Sequence, residues 1–447
     1  MRNSRWAATL ALAVSMLLVT AACSNSKAKT VSTTTTEGGS NAPAGTAAPG
    51  KHVKVVAPGV TDTEIRVGGV ASVHNPLGGK YGDAFVGAKA YFDGLNASGG
   101  IYGRKIVLAA QRDDNTSNNK VEVQGLLTED KVFAVLPVAT LLFTGAQTLV
   151  DQAIPTFGWT INPEWQGSAK DPRSNLFGQS GSFLCFNCAA PGLPWLAKGL
   201  GRHKIGVLAY NVPSSADCAD GVRNSFQKYG KKAGAQLAFI DKSLSFGVGD
   251  LSVQVSKMKS AGVDLVTTCM DTNGVVTLAK EMKKQQLKAF QYLPNGYDQS
   301  FLDDFGDLFE GSIVRTDFVQ LEAKEKPKGL QNFLSAMDKA GVKPSENSLV
   351  GWINADMFVA GLRGAGPSFS RQKVIDAVNK MTNYRADGIL HGVDWTKEHT
   401  ALSVPGESCQ FLSTIHDSKF DPTYSKPGKP FVCAVDQGGQ LVTRYDP

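Results

Sequence analysis

Few side chains in this sequence are placed to break or make a bond, and those that stand out suit the holding of a small molecule. There are six histidines, none beside a plausible nucleophile. No His-Glu-x-x-His, Gly-x-Ser-x-Gly elbow, phosphate loop ending in Gly-Lys-Ser/Thr, or Gly-x-Gly-x-x-Gly after a strand occurs. The expectation is therefore no enzyme, no cofactor and no metal. What remains are hydroxyls, aromatics and carboxylates that directly follow short apolar runs. Ser72 and Tyr81 follow one such run, Phe143 another, and Trp159 and Thr160 a third; Tyr210 with Ser214, Asp271 with Asn273, and Asn295 with Tyr297 follow three more. Tyr81, Phe143 and Trp159 suit an apolar wall, since small-ligand sites are mostly apolar with a few polar groups. His74 reads as a solvated loop residue, and Asp298 as the N-cap of a helix carrying Phe301 and Leu302.

The cysteines point to the compartment. Residues 1–22 combine Arg2 and Arg5, an apolar run from Trp6 to Val19, and Thr20-Ala-Ala before Cys23, which reads as a secretory signal too short to span a bilayer. A signal ending on Cys resembles a lipobox, with Cys23 as the lipidated first residue of the mature chain. Thr20 stands where Leu is more usual. Residues 23–52 are rich in Thr, Ser, Gly, Ala and Pro and read as a disordered tether. Of the seven cysteines, Cys23 apart, six are left in an exported chain, which favours disulfides. Cys409 with Cys433 is the first pairing expected, then Cys185 with Cys188 and Cys218 with Cys269. Six cysteines allow 15 connectivities, and zinc is the alternative for Cys185-Phe-Asn-Cys188, although no second ligand pair follows.

The formal charge of +6 falls by two when Arg2 and Arg5 leave, and no Lys/Arg cluster interleaves with aromatics, so nucleic acid is not an expected partner. From Val53 onward strand-like and helix-like segments alternate. Ile65–Gly69, Ile106–Ala110, Val132–Leu136 and Ile154–Phe157 form one strand series; 205–210, 237–240, 265–268 and 290–293 form a second. Helices are expected over 222–233, 251–261 and 275–286. Such alternation implies an α/β fold of two doubly wound parallel-sheet lobes. Ligands bind beyond the carboxyl ends of such strands, where the residues named above fall.

The stretch Pro76-Leu-Gly-Gly-Lys-Tyr-Gly82, the segment Gly87-Ala-Lys-Ala-Tyr-Phe-Asp-Gly-Leu-Asn-Ala-Ser-Gly-Gly-Ile-Tyr-Gly-Arg-Lys-Ile106, and Thr160-Ile-Asn-Pro-Glu164 resemble the branched-chain amino acid and amide binding proteins of ABC importers, with the type I periplasmic binding protein fold. The resemblance implies a three-strand hinge, with 53–176 plus 298–405 in lobe 1 and 177–297 plus 406–447 in lobe 2. It implies that Thr140 and Thr160 hydroxyls and the Leu141 N–H hold a substrate carboxylate. In lobe 2 the chain departs from the family pattern: Cys218 stands where a ligand-covering Tyr is usual, with Tyr210 and Ser214 nearby, and the acid expected near Gly274 has Asp271 as its closest replacement. The implied protein is a monomeric, lipid-anchored solute-binding protein on the outer face of the cell membrane. It would deliver a branched-chain amino acid or related acid or amide to an ABC permease. A cell-surface ligand sensor of the same fold is the alternative.

Overall fold

Apolar runs bounded by turn residues become buried strands, and they sort into two sheets. A computed structural model describes residues 53–446 except 169, 182–184, 186 and 400–405. Cys23, the signal and the tether lie outside the described residues, as does the third expected crossing near 405. The first sheet holds β1 (Glu64–Ala71), β2 (Lys105–Asp113), β3 (Ala134–Ala139), β4 (Thr156–Gly158) and β5 (Leu176–Gly178), all parallel, in the order β2-β1-β3-β4-β5. Its crossovers are α1 (Asp83–Ala97), α2 (Asn119–Thr128) and α3 (Ala146–Asp151). Gly99 and Gly100, both at positive φ, stop α1, a conformation glycine adopts without steric cost.

After α4 (Gly192–Gly199), a second parallel series follows: β6 (Lys204–Tyr210), β7 (Gln236–Leu244), β8 (Leu265–Cys269), β9 (Phe290–Leu293) and β10 (Ile313–Thr316). Between them run α5 (Pro213–Ala233), α6 (Ser252–Ala261), α7 (Thr272–Lys284) and α8 (Gln299–Phe305). Both strand series occupy the expected segments. Asp298 caps α8, its side chain accepting from the Ser300 N–H.

Two features differ from expectation. The chain was expected to re-enter lobe 1 at 298, yet β10 pairs with β9 in the second sheet. Return to the first sheet therefore comes only after Thr316, because Ile313 and Val314 are buried there. The second sheet is also not wholly parallel. β11 (Glu407–His416) pairs antiparallel with β10, and β12 (Lys419–Asp421), β13 (Phe431–Gln437) and β14 (Gln440–Asp446) extend it antiparallel. Short turns such as Gly438-Gly439 need only antiparallel pairing, whereas a parallel step needs a long crossover. Among the described residues no helix is long and apolar enough to cross a membrane.

α10 (Glu346–Ala365) packs on β3 and β4 of the first sheet, with α9 (Lys328–Lys339) against α1 and α11 (Arg371–Val378) against α10. Phe358 of α10 meets Phe92, Phe133 and Phe157 at ring centroids of 6.3, 6.3 and 5.6 Å, geometry that adds to simple burial. α10 also crosses α1 almost backbone to backbone. A Cβ on Gly87 would lie 1.7 Å from the Ser348 carbonyl oxygen, and one on Gly351 would lie 1.9 Å from that of Ala84. At the crossing Ser345 caps α10 and its Oγ donates to Asp83 Oδ2 at 2.9 Å, so the two helix starts are held together.

Two substitutions within α1 should act in opposite directions. Gly87→Ala overpacks the crossing and should destabilise by about 1–3 kcal/mol, whereas Gly94→Ala, with nothing within 4 Å of the new Cβ, should stabilise by roughly 0.5–1 kcal/mol. Urea titration of both variants measures this; equal effects would remove the crossing as a constraint.

Candidate functional site

Parallel strands deliver their following loops to one edge, and here the edges of both sheets face a single cleft of about 690 Å³. The first lobe supplies Tyr81 after β1, Leu141 after β3, and Trp159 and Thr160 after β4. The second supplies Tyr210, Ser214 and Cys218 around the start of α5, Asp271 after β8, and Asn295 and Tyr297 after β9. Tyr81 and Trp159 rings pack at 6.1 Å.

Four expected residues do not line this cleft. Ser72 is fully buried behind it; its Oγ donates to Asp114 Oδ1 at 2.7 Å and accepts the Leu141 N–H at 3.0 Å. The bond ties the ends of β1, β2 and β3, so the Leu141 N–H expected to meet a ligand already has a partner. Thr140 is turned inward, its Oγ1 3.5 Å from the Val70 carbonyl and from Asn119 Nδ2. Phe143 is fully buried against Trp165, centroids 4.9 Å apart, and is core rather than wall. Asn273 bridges the walls, Nδ2 donating to the Leu77 carbonyl at 2.6 Å. His74 is exposed and pairs with Asp113.

Thr160 contrasts with Thr140. Its methyl packs on Gly178, where an added Cβ would sit 1.9 Å away, and its N–H donates to Gln179 Oε1 at 3.1 Å. Its buried hydroxyl has no hydrogen-bond partner among the described residues. An unpartnered buried hydroxyl is costly, and at a cleft wall a ligand can supply the missing bond.

In the second lobe Asp271 is fully engaged: Oδ1 accepts from the Tyr210 hydroxyl and Oδ2 from the Asn273 N–H at 3.0 Å, capping α7. Burial, then Asp271, raises the Tyr210 hydroxyl above its usual range. The structure adds carboxylates that the sequence reading missed. Glu346, at the start of α10, lines the cleft, and burial followed by the charges of Asp298 and Asp317 pushes it up to about 8. Glu322 is also raised by burial and accepts from the Tyr297 hydroxyl at 2.7 Å. Asp317 pairs with Arg315. One signal for Glu346 was present: Ser345-Glu-Asn-Ser348 is a helix-start pattern. Its approach to Asp298 and Asp317 is a tertiary matter.

The cysteines are joined as expected: Cys185–Cys188, Cys218–Cys269 and Cys409–Cys433. Cys218 therefore presents a disulfide to the cleft, and Cys185 with Cys188 offers no thiolate pair to zinc.

Comparison with known proteins places this geometry in context. A family described as periplasmic binding protein matches residues 64–406. A branched-chain amino acid ABC transporter protein from Thermus thermophilus with bound valine is 18% identical, TM-score 0.66, covering 81% of this chain and 96% of its own. An R. palustris solute binding protein in complex with 4-hydroxybenzoate is 15% identical, TM-score 0.62, covering 86% and 96%. A fatty acid ABC transporter substrate-binding protein from Thermomonospora curvata is 17% identical, TM-score 0.64, covering 88% and 94%. No curated protein sequence matches the chain.

The raised Glu346 sets a pH dependence. Its folded value exceeds its unfolded one, so the folded state binds the extra proton and stability falls as pH rises from about 4.5 to about 8. The melting temperature of the parent should drop more steeply across that window than that of Glu346→Gln. Parallel slopes would remove Glu346 as the cause.

Proposed function

Because this chain belongs to the periplasmic binding protein family, its two parallel-sheet lobes being of type I, we propose that it is an exported, lipid-anchored solute-binding protein. In this reading it captures a small organic ligand between its lobes and passes it to an ABC permease. The Thr20-Ala-Ala-Cys23 sequence supports the anchor. The relatives above are named for valine, 4-hydroxybenzoate and fatty acid, so the family's capture geometry is compatible with cargoes of differing chemistry. The unpartnered Thr160 hydroxyl in the cleft wall carries the reading. A branched-chain amino acid, or a related acid or amide, would place its polar head against Thr160 and its side chain against Tyr81 and Trp159. Glu346 on the first lobe's wall favours a head that includes an ammonium group, which would compensate its charge.

Capture works through the equilibrium between open and shut lobes. A ligand that touches both walls only in the shut state shifts the population by its differential affinity. Asn273, bonded to the Leu77 carbonyl across the walls, stabilises that shut state without occupying the ligand's place.

Two measurements test these roles. Thr160→Val should lower affinity for isoleucine about tenfold by calorimetry, while Thr140→Val should leave it near the parent value; equal losses would defeat the assignment. Asn273→Ala should speed isoleucine release several-fold in stopped flow through loss of one cross-wall bond worth about 1 kcal/mol. An unchanged release rate would show that the bond plays no part in closure.

A further inference from the structure

The cleft does not end between the lobes. One face of α5 lines it for three turns: Ser214, Cys218, Val222 and Ser225 recur at helical spacing. Eleven residues at about 1.5 Å rise make that wall roughly 16 Å long. The opposite wall is the face of the second sheet, through Thr267 on β8, Tyr292 on β9, Arg315 on β10 and Gln410 on β11. Thr267 and Tyr292 are direct neighbours across the ladder. Three strand spacings of about 4.8 Å make this wall roughly 14 Å across. A helix packed on a sheet normally fills that layer with side chains; Phe226 and Tyr229 of α5 do so further along the helix, whereas beside the residues just named the described side chains leave part of the layer to the cavity.

The far end is polar. Gln410 is 2% exposed, its Oε1 accepts from the Tyr292 hydroxyl at 3.1 Å, and its buried Nε2 has no hydrogen-bond partner among the described residues. Gly192, at the start of α4, roofs this point: a Cβ there would lie 2.7 Å from Ser408 Oγ and 3.4 Å from Gln410 Nε2. Arg315 on the same floor is paired with Asp317, so the end wall offers a donor without a large net charge.

We propose that this compartment receives the tail of an elongated cargo whose far end carries a hydrogen-bond acceptor, a carboxylate or an amide carbonyl, held by Gln410 Nε2. The proposal rests on the solute-capture reading and names the shape and polarity of the solute. The head stays at Thr160 between the lobes, the chain runs along α5 past the Cys218–Cys269 bridge, and the acceptor meets the buried amide. Gln410 thereby selects against molecules of equal length with an apolar end, because those leave its N–H unpaired.

Calorimetry on the full chain tests this with isoleucine and with 2-amino acids bearing an unbranched chain of increasing length, ended by a carboxylate, by a primary amide or by a methyl group. Affinity should rise with length until the chain spans the compartment, and at full length the acceptor-ended compounds should bind about tenfold tighter than the methyl-ended ones. The carboxylate and amide arms identify which acceptor is preferred. Val222→Phe, from the helix wall, should abolish the gain with length yet keep isoleucine; Leu193→Phe, from α4, should do the same if the first variant fails to fold. Gln410→Leu should equalise acceptor and methyl ends. Isoleucine binding with no gain on lengthening, or a preference for acceptor ends that survives Gln410→Leu, overturns the compartment alone. Failure of isoleucine and every chain to bind overturns the solute-capture reading and the compartment with it.

Discussion

The contact on which the binding geometry depends is the crossing of α1 and α10, where Gly87 and Gly351 bring two backbones into direct apposition. Any side chain at either position would force the helices apart. Because they touch, Ser345 reaches Asp83, and both helix starts open onto the cleft. Glu346 follows Ser345 directly and is placed by that contact, which joins residues 262 apart in the chain. The crossing also seats α10 on the first sheet, where Phe358 joins the aromatic core of Phe92, Phe133 and Phe157.

Around that frame the cleft separates structural from available polar groups. Ser72 donates to Asp114 and accepts from the Leu141 N–H, while Thr140 pairs with the Val70 carbonyl and Asn119, all behind the wall. Asp271 caps α7 and accepts from Tyr210. Thr160 and Gln410 are the contrast: each is buried, each lines the cavity, and each has a polar atom with no hydrogen-bond partner among the described residues, as does half-buried Asn347 at Oδ1. Buried polar atoms are ordinarily satisfied, so the exceptions at opposite ends of one cavity describe a complementary guest better than the many residues that merely touch the space. Among the carboxylates, Glu346 is pushed up to about 8 by burial, then by the charges of Asp298 and Asp317, so it favours the protonated form near neutral pH.

Much of this was legible locally. Ile65 to Gly69 and Phe290 to Leu293 are short apolar runs, and the structure makes both strands, the second with the same bounds. Asp298 reads as a cap and is one. The three cysteine pairings also agree with the structure. The errors share a cause. Thr140, Ser72 and Phe143 occupy the right loops, yet their side chains turn into the lobe, since direction after a strand ends is set by what the next layer leaves open. Re-entry into lobe 1 was placed at 298 by carrying over the family's crossings, and β10, only four residues long, was not among the strands expected.

The amino-acid sequence by itself determined the alternation of strand and helix, the doubling of that alternation and the loops that would form a mouth, because periodicity, turn residues and caps are properties of neighbours in the chain. Tertiary structure decided which threonine hydroxyl is left without a partner among the described residues, that Glu346 comes under the charges of Asp298 and Asp317, that an antiparallel ribbon completes the second sheet, and that Gln410 lies on the cavity lining. Each of these depends on groups distant in the chain competing for the same space and the same hydrogen bonds, and that competition is resolved only when the layers pack.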